Sequence, residues 1–400
     1  MRRPRLSALL ACSALAAGCG ATKLVVINHK VQVVSAGPAI FQPAAKLGFP
    51  LVATNNTTRV GGSDAVVDAA GVAQAVYPSL VPGTHPQAVT IAPTDEWQAA
   101  IASAVLMAAP IHAPILLSGP GSLPPVTANT VAALAPTGAA SARGAQVITV
   151  GDAPAAGGLS STAITGSNPF AIAAAIDSFQ TAAAGRPSKD VIVVSADSPA
   201  YAMPAAGYAA ESGDPILYVT ASSVPQATRQ ALLAHGRPHI YVLGPKSVIP
   251  HLVTKVLDQY GSVRRVDGAD PISNAVAFSR YRDPPCSSTS TCAPGEGTFG
   301  WAVITPGHGY VFANVNRPLD AAAAAPLSGS GQYGPLLLFE NASSVPVPDV
   351  NDLLDNQSGY NQEGPTAAVY NRAWIIGDQS AISGPSQARI DSLLNVVAAK

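Results

Sequence analysis

Charged residues are scarce in this chain of 400 residues. Only 11% of them are Asp, Glu, Lys or Arg, against about 25% in an average soluble domain. The 22 basic and 23 acidic residues nearly cancel, and the formal net charge is −1. This balance argues against a nucleic-acid-binding protein, because phosphate backbones are bound by a local excess of Lys and Arg. Disorder driven by charge is excluded as well, since 48% of the residues are hydrophobic.

Long hydrophobic runs are also lacking. Beyond the N-terminus, Pro, Gly or a charge interrupts every apolar stretch before it reaches the roughly 18 residues that a membrane helix needs. A polytopic membrane protein is therefore excluded. The length corresponds to two or three globular domains, which we expect to consist of buried strands and Ala-rich helices.

The N-terminus has the parts of a secretory signal. Three arginines within the first five residues precede a short apolar stretch at 6–17, which is too short to span a bilayer. Small residues then lead directly into Cys19, and this resembles the lipobox of bacterial lipoproteins. We predict a lipoprotein signal peptide at 1–18, with acyl (palmitate-type) chains on Cys19 anchoring the protein to the extracytoplasmic face of the cell membrane. The alternative is an ordinary signal peptide that is cut nearby, with Cys19 incidental.

Cysteine is rare too, with four residues in all. Once the signal peptide is removed and Cys19 is lipidated, only Cys286 and Cys292 remain, six residues apart in a Ser/Thr-rich loop. In an exported protein this pair predicts a small disulfide; a metal-binding pair is the alternative, but no His lies nearby in the sequence. Loss of the N-terminal arginines would take the net charge from −1 to −4. We expect residues 19–54 to form a tether that includes one strand-like run.

Three ordered landmarks occur three times along the chain, and such repeats decide the architecture. The first, Arg-x-x-Gly-x-Asp or a degraded copy of it, lies at 59–64, 163–168 and 265–270. The second, a Pro-Ile-Leu-Leu-like strand, lies at 114–117, 215–218 and 335–338. The third, an apolar run closing on glycine, ends at Gly151, Gly244 and Gly377. We therefore divide the chain into repeat 1 (55–160), repeat 2 (161–262) and repeat 3 (263–400), in which the two cysteines lie in an insert.

Each repeat alternates strands and helices. A first helix is capped by Asp64, Asn168 and Asp270 in the three copies. The next strand is predicted at 88–92, 191–196 and 301–305, and an Ala-rich helix at 96–109, 201–211 and 319–327. Strands that are apolar at every position belong to sheets covered on both faces. The predicted fold is α/β: three similar βαβ modules with small parallel sheets of about three strands, flanked by helices in a pseudo-threefold arrangement.

This set of landmarks resembles the type 2 cell-wall-binding repeat. The resemblance covers about residues 55–397 and implies threefold α/β modules that attach surface proteins to anionic wall polymers. Two departures are visible. A second arginine that usually follows the opening Asp is missing in all three copies, and Ala163 replaces the first arginine in repeat 2.

Sequence motifs for catalysis or cofactor binding are weak. Residues 329–334 fit Gly-x-Gly-x-x-Gly but precede a strand, which is the wrong context for a dinucleotide site. His235 and His239 have the spacing of helical zinc ligands, but Gly236 and Pro238 prevent that helix, so we expect surface histidines. His308 is expected in a turn after the 301–305 strand. Carboxylates at strand ends are expected to be loop and cap residues rather than acid/base pairs; they are Asp95, Asp152, Asp197 and Asp378.

The predicted function is therefore non-enzymatic, with no catalytic residue, metal or cofactor. We expect an envelope lipoprotein whose modules bind or organise an anionic cell-wall polymer. Cations must supply local attraction, and the candidates are Arg59, Arg264, Arg265, Lys246 and Arg317. Two alternatives stay open: a hydrolase or transferase that uses the strand-end loops of one module, and a structural or protein-interaction protein that no longer binds polymer.

Overall fold

A computed structural model of the protein describes residues 51–284, 299–331, 334–360, 364 and 368–398. The predicted signal peptide, Cys19, most of the tether and the pair Cys286 and Cys292 lie outside these residues. Lipidation and the disulfide therefore stay predictions. No helix in the described ranges is long and apolar enough to cross a membrane.

Strands and helices alternate along the chain, as the repeats predict. The strands are β1 (Leu51–Ala53), β2 (Thr57–Val60), β3 (Val89–Pro93), β4 (Ile115–Ser118), β5 (Val147–Val150), β6 (Ser161–Ile164), β7 (Asp190–Ser195), β8 (Ile216–Val219), β9 (His239–Leu243), β10 (Ser262–Val266), β11 (Gly309–Asn314), β12 (Leu336–Phe339), β13 (Gly359–Tyr360), β14 (Arg372–Ile376) and β15 (Val397–Ala398). The helices are α1 (Ala65–Val76), α2 (Trp97–Ala102), α3 (Pro125–Leu134), α4 (Pro169–Ala184), α5 (Pro199–Ser212), α6 (Gln226–Ala234), α7 (His251–Leu257), α8 (Pro271–Arg280), α9 (Leu319–Gly329), α10 (Val347–Asp355) and α11 (Gly384–Leu393). Two short 3₁₀ helices lie at Ser103–Met107 and Ala140–Ala142.

Three parallel sheets form the frame of the molecule. Their strand orders are β4-β3-β5-β6 in sheet 1, β8-β7-β9-β10 in sheet 2 and β12-β11-β14-β2 in sheet 3, where β1 adds an antiparallel edge. The middle strands are buried at nearly every position, because helices cover both faces. The predicted α/β class with three similar modules is confirmed. Each sheet has four parallel strands, however, and the sequence pattern predicted three.

The fourth strand of each sheet comes from a different repeat. The strand that carries the opening landmark of repeat 2, β6, pairs with β5 of sheet 1, and the corresponding strand of repeat 3, β10, pairs with β9 of sheet 2. The opening strand of repeat 1, β2, pairs with β14, so that Thr58 lies opposite Trp374. The first strand of the repeat region therefore completes the last sheet, and the three modules are interlocked in a ring.

The prediction of a strand at 301–305 is wrong. This segment runs as a loop whose backbone bonds to the end of α8: Ala302 donates to Tyr281 O and Val303 to Ser279 O. The strand that corresponds to β3 and β7 is β11, whose residues 310–314 are buried. His308 therefore precedes a strand instead of following one.

The opening landmark begins the first helix of each repeat by the same local contacts. The side chains of Asp64, Asn168 and Asp270 accept hydrogen bonds from the first backbone N–H groups of α1, α4 and α8, as predicted. The glycine two residues earlier is required by a close approach: a Cβ on Gly268 would lie 2.3 Å from Asn274 N. The chain can reverse here only without a side chain.

Ala-rich helices form the centre of the ring. Helices α2, α5 and α9, together with the 3₁₀ helix after α2, contact one another pairwise, as a pseudo-threefold arrangement requires. Their small residues allow close packing, because a Cβ on Gly329 would lie 2.7 Å from Ala210 O. The low charge content follows from this centre, since these helices are buried between modules and have few positions in contact with water.

Candidate functional site

The strand topology points to one crevice in each sheet. Crossovers leave the two middle strands in opposite directions in sheet 1 (β3 and β5) and in sheet 2 (β7 and β9), and β11 and β14 are the corresponding middle strands of sheet 3, with β12 and β2 on opposite sides. Open α/β sheets usually bind ligands at such reversal points, beyond the carboxyl ends of the strands. We therefore examined these three strand ends as candidate sites.

The crevice of sheet 1 is acidic. Its volume is about 160 Å³, and it is lined by Asp95 and Glu96 after β3, by Asp152 after β5, and by Gly166 and Ser167 at the start of repeat 2. Burial, followed by the charges of Asp95 and Asp152, raises the pKa of Glu96. No Lys or Arg lines this crevice, so it does not attract an anionic polymer.

The crevice of sheet 3 contains the predicted polymer-binding residue Arg317. Its guanidinium lies 2.8 Å from Asp68 Oδ2, 2.7 Å from Asp320 Oδ2 and 3.8 Å from Asp378 Oδ1. Asp68 and Asp320 are fully buried, and burial is the main reason that the pKa of each lies above its ordinary value. Since carboxylates surround Arg317, its charge is already balanced within the protein.

A wider cleft of about 530 Å³ lies beside Arg317, between the strand ends of sheets 1 and 3. Polar residues from four segments line it, and the half-buried Trp97 and Leu319 contribute apolar surface. The edge of Trp97 packs on Tyr218 with ring centroids 5.8 Å apart, which fixes the indole. Such a combination of an aromatic ring with carboxylate, hydroxyl and amide groups can hold a polar ligand that has an apolar face.

Arg59 is buried and is therefore unavailable to a polymer, contrary to the sequence prediction. Only 3% of the residue is exposed. Its guanidinium donates to the backbone oxygens of Gly377 (2.7 Å), Asp378 (2.9 Å) and Ile382 (2.6 Å) and to Gln387 Oε1 (2.8 Å). Burial lowers its pKa to about 10, which leaves it protonated at neutral pH. The arginine of the opening landmark thus holds the loop after β14.

Arg265 repeats this arrangement in sheet 2. It donates to Gly244 O, the counterpart of Gly377 O, and to Ile249 O at 2.7 Å, the counterpart of Ile382 O. In repeat 2 the position is Ala163, and no side chain can make these bonds. The recurring arginine is therefore explained by loop anchoring, which requires no ligand.

The remaining candidate cations differ in accessibility. Arg264 is 39% exposed but forms a salt bridge with Asp283, which also accepts hydrogen bonds from Tyr241 and Tyr281. Lys246, in the loop after β9, is exposed. Of the five predicted cations, Lys246 alone is exposed and makes no salt bridge within the described part of the chain.

The histidines are placed differently from the prediction. His235 is buried: its Nε2 lies 2.9 Å from both carboxylate oxygens of Asp177. His239 is half-buried, with Nδ1 2.8 Å from Asp190 Oδ1. Both were expected at the surface, but His235 directly after α6 and His239 at the start of β9 each contact a carboxylate of the same module. His308 is half-buried, and burial lowers its pKa.

Within the described residues, no group of three or more His, Cys, Asp or Glu side chains could hold a metal ion. Two of the strand-end carboxylates have loop roles: Asp197 accepts from Ala221 N at 3.0 Å, and Asp378 accepts from Ser380 N at 3.0 Å. Asp95 and Asp152 line the sheet 1 crevice described above. The Gly-x-Gly-x-x-Gly match begins at Gly329, the last residue of helix α9, and its described residues precede β12, so the helix that a dinucleotide site requires does not follow.

Sequence reasoning missed several buried polar residues that shape these sites, among them Asp68, Asp320, Asp177 and Gln180. Each lies on a predicted helix among alanines or other small apolar residues. A single polar residue on an apolar helix face was the available signal, and it marks positions where a partner must satisfy the buried group.

The comparisons with known proteins agree with this fold. Residues 163–254, within repeat 2, match the family model of cell wall binding domain 2 (CWB2). Cwp6 from Clostridium difficile has a similar structure, with a TM-score of 0.64 and 17% identity over 85% of this chain and 48% of that one. Cwp8 from the same organism gives 0.63 and 18% over 93% and 55%. The chain thus spans about half the length of these two proteins. No curated protein matches it.

The resemblance predicted from the repeated landmarks is confirmed, and the segment that matches is the copy in which Ala163 replaces the first arginine. Residues 163–254 thus match the family model of cell wall binding domain 2, and the fold of the chain is similar to the folds of Cwp6 and Cwp8 of Clostridium difficile.

Proposed function

We propose that this chain is a non-catalytic protein of the cell envelope that binds or organises a cell-wall polymer through its three modules. The match of residues 163–254 to cell wall binding domain 2 carries this proposal. The other two repeats support it, since they keep the same order of strands, helices and landmark residues. In the sheet 3 crevice a binding role is better supported than catalysis, because its carboxylates surround Arg317 and Asp378 is engaged in its own loop.

The structure changes the expected mode of binding. Arg59, Arg265 and Arg317 were candidates for attracting an anionic polymer, but each is engaged within the protein. With a net charge near −4 after signal removal, long-range attraction of an anion is absent. The proposed contacts are therefore short-range: the exposed Lys246, the partly exposed Arg264 beside its partner Asp283, and the cleft at Trp97 for an uncharged part of the polymer.

Cell-wall sedimentation tests the proposal. The purified chain without its signal peptide, with Cys19 replaced by Ser, is mixed with cell walls of its own source organism over a salt series. We expect retention at low salt, and we expect Lys246→Ala to weaken it about two- to threefold, as removal of one exposed ionic contact does. Lys255→Ala, which removes an equally exposed lysine on α7, is the matched control. A folded protein that stays in the supernatant at low salt would refute the proposal and favour an interaction protein that no longer binds polymer.

We also propose that the protein is a lipoprotein attached to the extracytoplasmic face of the membrane through Cys19. The apolar stretch at 6–17 and the small residues before Cys19 support this. Mass spectrometry of the N-terminal peptide from membranes should find Cys19 as the first residue, carrying acyl chains. A Cys19→Ser variant should be recovered in the soluble fraction, since the anchor alone supplies stable membrane binding. An unmodified Cys19 in the native protein would overturn the proposed anchor.

A further inference from the structure

A polar recess lies at the opposite edge of sheet 2 from the crevices, at the amino ends of its strands. Its volume is about 160 Å³, and it lies between α4, the segment before β7 and the end of α5. A groove of about 370 Å³ between α4 and α6 adjoins it. Asp177, Thr181 and Pro187 line both, so the two form one continuous depression.

A buried ion pair forms part of the floor. The side chains of His235 and Asp177 are only 1% and 6% exposed. His235 Nδ1 lies 2.7 Å from Ser188 O, and Nε2 lies 2.9 Å from both oxygens of Asp177. Nδ1–H donates to Ser188 O, and Nε2 therefore shares a proton with the carboxyl group of Asp177. Burial lowers the pKa of His235, but Asp177 and Ser188 O together raise it by more than burial lowers it. The net shift of the pKa is therefore upward.

Gln180 provides the observation that points to a ligand. It is 5% exposed, and its Nε2 donates to Ala109 O at 2.8 Å. Its side chain lines the recess, and its Oε1 is buried and has no hydrogen-bond partner among the described residues. A buried acceptor without a donor is costly, so this oxygen fits a donor group brought by a bound molecule.

The surroundings select the kind of donor. Arg186 on the rim would repel an ammonium group, whereas Asp177 would repel an anion. A neutral hydroxyl can donate to Gln180 Oε1 or to the remaining lone pairs of Asp177. The adjoining groove is lined by the methyl groups of alanines on α4 and α6, which suit the C–H face of a sugar ring.

The recess belongs to module 2 alone. Asp177 lies nine residues after the cap of α4, where the corresponding residues of α1 and α8 are Ala73 and Ser279. His235 follows the end of α6, where α3 and α10 are followed by Ala135 and Asn356. The pair is therefore an addition to the repeated framework, and it lies in the repeat that lacks the loop-anchoring arginine.

We propose that this recess binds one neutral sugar unit, with hydroxyl groups donating to Gln180 and Asp177 and the ring lying against the alanines of the groove. Only the choice of a wall glycan as the natural source rests on the proposed function. The site itself is independent of the strand-end crevices.

Saturation-transfer NMR of the purified chain with neutral monosaccharides tests the site directly. Glucose, galactose, mannose and N-acetylglucosamine are the probes, and we expect at least one to bind with a millimolar Kd. Gln180→Leu removes the free acceptor at similar volume and should weaken that binding about five- to tenfold, as loss of one buried hydrogen bond does. Gln74→Leu, at a half-buried glutamine of α1 that bonds within module 1, is the matched control and should bind as the unaltered chain does.

Two results would overturn the inference: no probe binds the unaltered chain at tens of millimolar, or Gln180→Leu binds as well as the control. Thermal melting of both variants shows whether they are folded. Wall sedimentation separates the two proposals. Retention on walls without sugar binding would refute the proposed sugar site and support the proposed function. Sugar binding through Gln180 without wall retention would support the sugar site and refute the proposed function.

Discussion

Replacing Arg59 by methionine is expected to lower the free energy of unfolding by about 3–5 kcal/mol, because several buried hydrogen bonds to a charged group are lost together. Four backbone or side-chain oxygens lose their donor, and all lie in the loop after β14 or at the start of α11. Buried acceptors left without partners account for most of the loss. Urea-induced unfolding followed by circular dichroism measures it.

The size of this effect comes from the position of Arg59 in the ring. It lies on β2, near the beginning of the described chain, and its partners lie more than 300 residues later. Loss of these hydrogen bonds therefore weakens the attachment of β2 to the loop after β14, where sheet 3 is completed. Arg372→Met, at an exposed arginine of the same sheet, is the matched control and should change stability by less than about 0.5 kcal/mol. A similarly small change for Arg59→Met would contradict the structural role assigned to this residue.

Replacing Asp349 by threonine is expected to stabilise the protein at pH 8 by about 1–3 kcal/mol, the cost of a buried polar group without a partner. Thr127 and Thr228 occupy the corresponding position in the first turns of α3 and α6, where their hydroxyls donate to Leu117 O and Tyr218 O at 2.7 Å. Asp349 is fully buried, and neither of its carboxyl oxygens has a hydrogen-bond partner in the described ranges. Threonine at position 349 would supply a hydroxyl donor like those of Thr127 and Thr228 in the other two modules.

The same substitution should flatten the dependence of stability on pH. Burial, and then the charges of Asp352 and Asp270, raises the pKa of Asp349 well above its ordinary value. Below about pH 4 the group is protonated in both folded and unfolded chains. Above that pH the unfolded chain releases the proton while the folded chain keeps it. Stability therefore falls as the pH rises, by up to about 1.4 kcal/mol per unit, until the pH passes the folded pKa.

Other buried carboxyl groups act in the same direction. Burial is the largest cause of the raised pKa of Asp214 and of Asp352, to about 6 in each case, and it raises those of Asp68 and Asp320 as well. The unaltered protein should therefore melt at a higher temperature at pH 5 than at pH 8. Scanning calorimetry across this range should show a shallower slope for Asp349→Thr, and the slope of Asp258→Thr, at an exposed aspartate after α7, should match the original. A melting temperature that rises from pH 5 to pH 8 would contradict this account.

Much of the local structure could be predicted from the sequence. Asp64, Asn168 and Asp270 cap helices because each side chain bonds to N–H groups two or three residues ahead. The apolar runs that become β5, β7 and β9 are continuous because helices cover both faces of the sheet. The strand predicted at 301–305 in repeat 3 was wrong, because this segment is as apolar as a strand. Its backbone hydrogen bonds go to the end of α8, and it therefore forms a loop.

The candidate site was predicted less well, for a physical reason. An arginine such as Arg59 has the same local pattern whether its guanidinium faces water or lies among backbone oxygens. Which of these occurs depends on residues 377–387, far away in the sequence. His235 and Asp177 likewise lie 58 residues apart, and their pairing depends on how α4 packs beside α6.

The sequence by itself determined that this chain has three α/β modules, with the order of strands and helices and the caps within each. These features rest on contacts within a few residues and on burial patterns that repeat. Only the tertiary structure decided that each opening strand completes the sheet of another repeat, that β2 closes the ring against β14, and that Arg59, Arg265 and Arg317 are engaged within the protein. Strand pairing and charge pairing are contacts between distant segments, and the free energy of such a contact depends on the packing of the whole molecule.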